Sequence, residues 1–223
     1  MKRISACILV LGLLAAAAGA AEPADPPPLA PFSIGGSLSY WMGEDLDNFD
    51  LDGAFGASLI AQYRLHRLLA VEGRISGFAA GETQDIFIPA QGWYDTETTI
   101  IGMPFEAGLV AFLPLGDTFS LYGGPGLGYY FFDGEFRSEQ GPWNLTYDMD
   151  LDSAGGWYAI LGARLQLARN IALFAEGKYT WVKTSWEPEA VALGAQEGLP
   201  VPEWKQDLDF SGLALGGGLI FTF

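Results

Sequence analysis

Period-two alternation runs through most of this chain and constrains its fold more than any other feature. Between Phe55 and Leu65 every second residue is apolar, and most of the residues in between are small or polar. Successive side chains of a β-strand point to opposite faces, so the pattern predicts strands with one apolar face. We predict eight strands separated by turn residues, over Phe32–Met42, Gly53–Leu65, Leu69–Ala80, Thr98–Leu113, Phe119–Phe132, Ala154–Leu167, Ile171–Trp186 and Leu208–Phe223.

The two faces of these strands indicate which solvent each one meets. The apolar face runs along the whole strand, whereas the opposite face is rich in glycine, and only 17% of the chain is charged. A soluble barrel would turn a densely charged face to water. Lipid outside and a narrow polar lumen inside explain the pattern, and lipid tolerates only a sheet that closes on itself. We therefore predict an all-β fold, an eight-stranded antiparallel up-and-down transmembrane β-barrel.

The connections between the predicted strands alternate strictly between short and long. The short ones lie near Leu65–Leu68, Pro114–Thr118 and Ala168–Asn170, and the long ones are Gly43–Asp52, Gly81–Glu97, Asp133–Ser153 and Glu187–Asp207. Outer-membrane barrels have short periplasmic turns and longer external loops. With an even number of strands, both chain termini are expected in the periplasm.

The first residues have the features of a secretory signal peptide, which we assign to residues 1–20. Lys2 and Arg3 precede an apolar stretch, and Ala18-Gly19-Ala20 is a small-residue cleavage site. Residues 21–31 form a Pro-rich linker, and residues 32–223 form the predicted barrel domain. Cys7 is the only cysteine and leaves with the signal, so we expect no disulfide and no thiolate metal site.

Several short motifs resemble the OmpA/OmpX-type superfamily of small outer-membrane β-barrels. They are Gly218-Leu219-Ile220-Phe221-Thr222-Phe223, Tyr122-Gly123-Gly124-Pro125-Gly126-Leu127-Gly128-Tyr129, Val71-Glu72-Gly73-Arg74 and Ala175-Glu176-Gly177-Lys178-Tyr179. The resemblance implies residence in the outer membrane of a Gram-negative bacterium, among phospholipid and lipopolysaccharide. It also implies that Phe221 and Phe223 form the signal read by the outer-membrane assembly machinery, with periplasmic chaperones as further partners.

Seven charged residues share the inward-facing side of the predicted strands. They are Arg64, Glu72, Arg74, Glu106, Arg164, Glu176 and Lys178; Phe78, Phe112 and Phe174 break the pattern by sharing this side. We expect the charges to pair, because isolated buried charges are very costly. A salt-bridged plug is the favoured interpretation, since an eight-stranded barrel is only wide enough for side chains to fill. A gated ion path or proton relay is the alternative.

The acidic residues are concentrated in the predicted long loops. These loops hold 20 of the 27 Asp and Glu, and the net charge of −16 argues against nucleic-acid binding through phosphates. Asp47, Asp50, Asp52, Asp148, Asp150 and Asp152 form a candidate weak divalent-cation site, because carboxylate oxygens suit Ca²⁺ and Mg²⁺. Such ions would bridge the loops to lipopolysaccharide phosphates. A hydrated, mutually repulsive surface is the simpler interpretation.

The residues give little support for catalysis. His66 is the only histidine and falls in a predicted periplasmic turn, away from the external rim, so we predict neither an enzyme nor a cofactor. The leading hypothesis is a structural or surface-interaction barrel, with an external ligand left open. The alternative is a barrel resembling OmpW that passes small hydrophobic molecules through a side opening, with Phe78, Tyr130, Tyr158 and Ile160 lining its pocket, or a small porin.

Overall fold

The computed structural model describes residues 31–43, 53–88, 92–140, 143–187 and 206–223. The regular elements in these ranges are ten β-strands. They are β1 (Phe32–Gly43), β2 (Ala54–His66), β3 (Leu69–Ile88), β4 (Gly92–Pro114), β5 (Phe119–Gln140), β6 (Trp143–Leu151), β7 (Ala154–Ala168), β8 (Ile171–Glu187), β9 (Gln206–Asp209) and β10 (Gly212–Thr222). In this described part of the chain, no helix is long and apolar enough to cross a membrane.

The ten strands form eight positions in one closed wall. β6 continues into β7 and both pair with β5, while β9 continues into β10 and both pair with β8. Each neighbouring pair is antiparallel, and β10 closes the wall against β1 from Ser33↔Thr222 to Gly43↔Gly212. The predicted all-β, eight-stranded, antiparallel up-and-down barrel is confirmed.

Two of the predicted long connections are instead paired strands, which corrects their assignment as loops. β3 and β4 stay in register from Glu82↔Thr98 to Ile88↔Gly92, and β5 and β6 from Gly134↔Met149 to Gln140↔Trp143. Threonine and aromatic residues favour strands, and pairing satisfies backbone groups that a loop would leave to water. The other two predicted long connections fall mostly outside the described residues.

The outer face of the wall exposes large apolar side chains along its length. Phe55, Leu38 and Trp157 are 76%, 73% and 66% exposed, and their neighbours on the outward parity are similar. A soluble monomer rarely exposes contiguous apolar surface of this extent. The face therefore fits hydrocarbon as its solvent.

The interior contains two apolar layers as well as charges, so the expectation of a simply polar lumen was incomplete. Towards the paired hairpins, Trp41, Ile100, Tyr130, Phe132 and Phe210 are among the side chains of an upper layer, with Phe78 packed against it. A second, lower layer includes Val110, Phe112, Tyr122, Phe174 and Ile220 towards the short turns. Ile60, Tyr158 and Ile160 extend this layer upwards, because they pair in register with Arg74, Thr180 and Lys178. Phe78, Phe112 and Phe174 share the parity of the charged set because they fill the lumen.

The glycine-rich stretch of β5 makes room for large rings inside the barrel. A Cβ on Gly126 would lie 2.2 Å from the ring of Tyr158, and one on Gly128 would lie 2.8 Å from the ring of Tyr130. A methyl group at such distances would force the rings to move, so packing favours glycine at both positions.

Candidate functional site

Five charged residues meet in the lumen between the two apolar layers, and we call this set the polar belt. It consists of Glu72 and Arg74 from β3, Glu106 from β4, and Glu176 and Lys178 from β8. The alternation of side chains along each strand points all five into the lumen. The closed wall places β3 and β8 on opposite sides of that lumen, so their side chains meet across it. They belong to the set of seven inward charges that the sequence singles out.

Arg74 joins two carboxylates at the centre of the polar belt. Its Nε donates to Glu72 Oε1 at 2.5 Å, while Nη1 and Nη2 donate to the two oxygens of Glu176, the latter at 2.8 Å. Glu176 also accepts a hydrogen bond from the Tyr122 hydroxyl at 2.7 Å. The two-pronged contact fixes the orientation as well as the charge pairing.

Lys178 forms the second ion pair of the polar belt. Its Nζ lies 2.7 Å and 2.8 Å from the two oxygens of Glu106, and the Tyr130 hydroxyl donates to Glu106 at 2.8 Å. The ammonium also lies 5.7 Å from the centre of the Tyr158 ring. Each carboxylate of the polar belt thus binds one cation and one neutral donor. The neutral donors are Gln62 for Glu72, Tyr122 for Glu176 and Tyr130 for Glu106.

Gln62 connects the polar belt to the short-turn end of the lumen. Its Nε2 donates to Glu72 at 2.5 Å, and its Oε1 accepts from Arg164 Nη2 at 2.8 Å. The sequence pattern does not predict that Gln62, Tyr122 and Tyr130 bind the lumen carboxylates, although all three share the inward parity.

The other two inward charges, Arg64 and Arg164, lie apart from the polar belt. Their guanidinium carbons are each 5.0 Å from the centre of the Phe112 ring, in the lower layer. The structure therefore brings five of the seven predicted residues into direct ion pairs and places two of them at the short-turn end.

A small cavity lies between the polar belt and the upper layer. It holds about 50 Å³ and is bordered by Ser37, Ser58 and Ser76 on one side and by Trp41 and Phe78 on another. A volume of this size accommodates only a few water molecules. The lumen at this height is therefore filled by side chains.

The cavity bears on the interpretation as a passage for hydrophobic molecules. Phe78 and Tyr130 border it, whereas Tyr158 and Ile160 pack in the lower layer, so the four residues do not form one pocket. The β3–β4 pairing skips Ser76 and Gly77, opposite Pro104 and Met103, and Pro104 has no N–H to donate. The cavity at this point, about 50 Å³, is too small to favour that passage.

The predicted divalent-cation site is only partly within the described residues. Asp47, Asp50 and Asp52 lie outside them. Asp148 and Asp150 belong to β6, where only their backbone is described. The carboxylate of Asp152 accepts a hydrogen bond from the Ser185 hydroxyl at 2.6 Å. Among the described residues, no group of three His, Cys, Asp or Glu is arranged to hold a metal ion. Cation binding stays a prediction.

The remaining residues of interest lie at the short-turn end. His66 ends β2, where its Nδ1 accepts a hydrogen bond from the backbone N–H of Leu68 at 3.4 Å. Phe221 points outward from β10, and the Phe223 N–H donates to the Phe32 carbonyl at 2.8 Å. The role of the two phenylalanines as an assembly signal stays a prediction.

Comparison with known proteins places this geometry in a family. The family described as "Outer membrane protein beta-barrel domain" matches residues 6–221. A comparison with curated protein sequences finds no match. The crystal structure of OprG from Pseudomonas aeruginosa is 19% identical with a TM-score of 0.59, covering 87% of this chain and 97% of OprG.

Two other barrels have lower similarity. Neisserial surface protein A is 11% identical with a TM-score of 0.48, covering 86% of this chain and 97% of its own. AlkL, solved in lipid bilayers, is 12% identical with a TM-score of 0.47, covering 91% and 95%. The family match extends over nearly the whole sequence, and the closed antiparallel wall agrees with it. The chain therefore belongs to the outer membrane protein β-barrel domain family.

Proposed function

We propose that this protein is a structural and surface-interaction barrel whose lumen is closed and whose hairpins present acidic residues outside a Gram-negative cell. The observation that carries the proposal is the filling of the lumen by the ion-paired polar belt between two apolar layers. With an even number of wall positions, both termini lie in the periplasm.

The energetics of the polar belt oppose ion passage. The side chains of Arg74 and Glu72 are almost wholly removed from solvent. Breaking such a pair leaves one buried charge without its partner, which costs about 3–5 kcal/mol. A permeating ion would have to displace at least one pair and also cross the aromatic upper layer, so the closed state is strongly favoured.

The hairpins beyond the wall supply the interaction surface. Glu97, Asp133 and Glu135 are exposed on the paired extensions of β4 and β5. The paired strands hold such carboxylates beyond the membrane, where they attract cations and repel other acidic surfaces. Divalent ions bridging carboxylates to lipopolysaccharide phosphates are the expected partners, together with the assembly machinery and periplasmic chaperones that deliver the barrel.

No catalytic role is part of this proposal. His66, the single histidine of the sequence, lies in a turn at the opposite end from the hairpins. A Ser-His-acid arrangement at the external rim would need a histidine there. Binding to external surfaces therefore accounts better for the long hairpins than turnover of a substrate does.

Planar-bilayer recording tests the closed lumen directly. Purified protein, shown to be folded by its heat-dependent mobility on a gel, is expected to give no stable conductance steps above the bare bilayer. The variant K178M, which leaves Glu106 without its cation, is expected to give brief openings, because an unpaired buried carboxylate destabilises the packed state. Large, stable and reproducible conductance from the unmodified protein would show that the lumen is open.

A further inference from the structure

Two lumen arginines lack an acidic partner, and both lie at the short-turn end of the barrel. Arg64 precedes the end of β2 by two residues, and Arg164 precedes the end of β7 by four. The three carboxylates of the polar belt are bound by Arg74 and Lys178. Within the described residues, neither Arg64 nor Arg164 forms an ion pair within 4.0 Å. The lower lumen, as far as the structure describes it, therefore has two guanidinium groups with no carboxylate in direct contact.

Both arginines converge on one aromatic ring. Each guanidinium carbon lies 5.0 Å from the centre of Phe112, and that of Arg164 lies 5.7 Å from the centre of Tyr122. Contact with ring faces stabilises a cation without neutralising it. The ring thus holds two like charges close together in a partly desolvated space, an arrangement that an anion would stabilise.

Arg164 has an unused donor in this space. The residue is only 5% exposed, and its Nε has no hydrogen-bond partner. Its Nη2 is bonded to Gln62, but a buried N–H without an acceptor costs free energy. Arg64 is half-buried, so the pair can be reached from the short-turn end. Asp117, in the adjoining β4–β5 turn, is exposed to solvent.

We propose that Arg64 and Arg164 form an oxyanion-binding site, open towards the short turns, for a phosphate or a phosphoryl headgroup. Guanidinium groups present paired N–H donors that match the oxygens of such anions. Arg164 supplies the buried donors, Arg64 supplies the accessible charge, and Phe112 keeps both in place. The site lies below the polar belt, and its occupation does not depend on whether the lumen is closed above it.

Titration calorimetry with inorganic phosphate tests the site in protein folded in uncharged detergent micelles. R64Q and R164Q are each expected to weaken phosphate binding by about tenfold or more, because each removes a charged donor pair. The matched control is R169Q, which removes the same charge from an exposed turn at the same end. It is expected to leave the affinity unchanged. Heat-dependent gel mobility verifies folding. If R164Q does not fold, R64Q alone tests the site, because Arg64 is only half-buried.

A second arm distinguishes the source of the anion. The unmodified protein is titrated with phosphate in the same uncharged detergent micelles with and without added phosphatidylglycerol. Loss of phosphate binding when the anionic lipid is present identifies a lipid headgroup as the occupant, and unchanged binding identifies a free phosphate. The proposal is overturned if the unmodified protein shows no saturable phosphate binding in micelles. It is equally overturned if R64Q and R164Q bind like the unmodified protein, or if R169Q loses as much affinity as they do.

Discussion

Replacement of Arg74 by methionine gives the sharpest test of the polar belt. Arg74 makes three charge-assisted hydrogen bonds, one to Glu72 and two to Glu176. Methionine is shorter than arginine and carries no charge, so the variant leaves two carboxylates with only Gln62 and Tyr122 as neutral donors. The side chains of Glu72 and Glu176 are 0% and 7% exposed, so water cannot readily replace the guanidinium.

The expected magnitude follows from this burial. Removing one partner of a buried pair costs about 3–5 kcal/mol. With a urea dependence of about 2 kcal/mol per molar, the unfolding midpoint is expected to fall by roughly 2 M. The assay is equilibrium urea unfolding of the protein in phospholipid vesicles, followed by tryptophan fluorescence. A loss below about 1 kcal/mol, the range typical of exposed ion pairs, would refute the reasoning.

A triple variant separates the charge effect from the loss of packing. Combining R74M with E72Q and E176Q removes all three charges, so no uncompensated carboxylate remains. Because most of the cost of breaking a buried pair comes from the charge left uncompensated, the triple variant is expected to recover most of the loss. If it is as unstable as R74M, the cost comes from lost packing and the electrostatic account is wrong.

Further predictions concern the glycine-rich stretch and the two environments of the wall. G126A, whose new methyl would lie 2.2 Å from the Tyr158 ring, is expected to destabilise the barrel by about 1–3 kcal/mol in the same unfolding assay, whereas G155A, with no atom within 4 Å, is expected to be neutral. L59R places a charge on the exposed outer face of β2 and is expected to cost about 2–4 kcal/mol in vesicles; an unchanged stability would contradict a lipid-facing position. K183Q breaks an exposed pair with Asp209 and is expected to cost less than about 1 kcal/mol.

Much of the wall could be predicted from the sequence because its signal is local. Residues such as Phe55, Leu59 and Tyr63 alternate with small or polar ones, and alternation fixes both the strand and the face of each side chain. The paired extensions were not predicted because their local sequence signal is ambiguous. Asp148 and Asp150 alternate on β6 with Met149 and Leu151, but acidic residues in a hydrated segment resemble those of a loop.

The contacts of the lumen depend on relations that are not local. The ion pair between Arg74 and Glu176 joins residues 102 positions apart, on wall strands that are not neighbours. Parity shows that both side chains point inward, but only the closed barrel and its register place them at the same height. The stacking of Arg64 and Arg164 on Phe112 has the same origin. Sequence patterns could therefore name the charged set without giving its pairs.

Site-directed labelling of one strand tests most directly that lipid bathes the apolar face. Leu127 and Glu135 lie on the same outward face of β5, eight residues and about 26 Å apart along the strand. In a Cys7→Ser background, L127C is expected to resist a water-soluble thiol reagent in vesicles, and E135C is expected to react rapidly. Equal rapid labelling of both positions in the folded protein would contradict the account, because it would place water against a face that we assign to hydrocarbon.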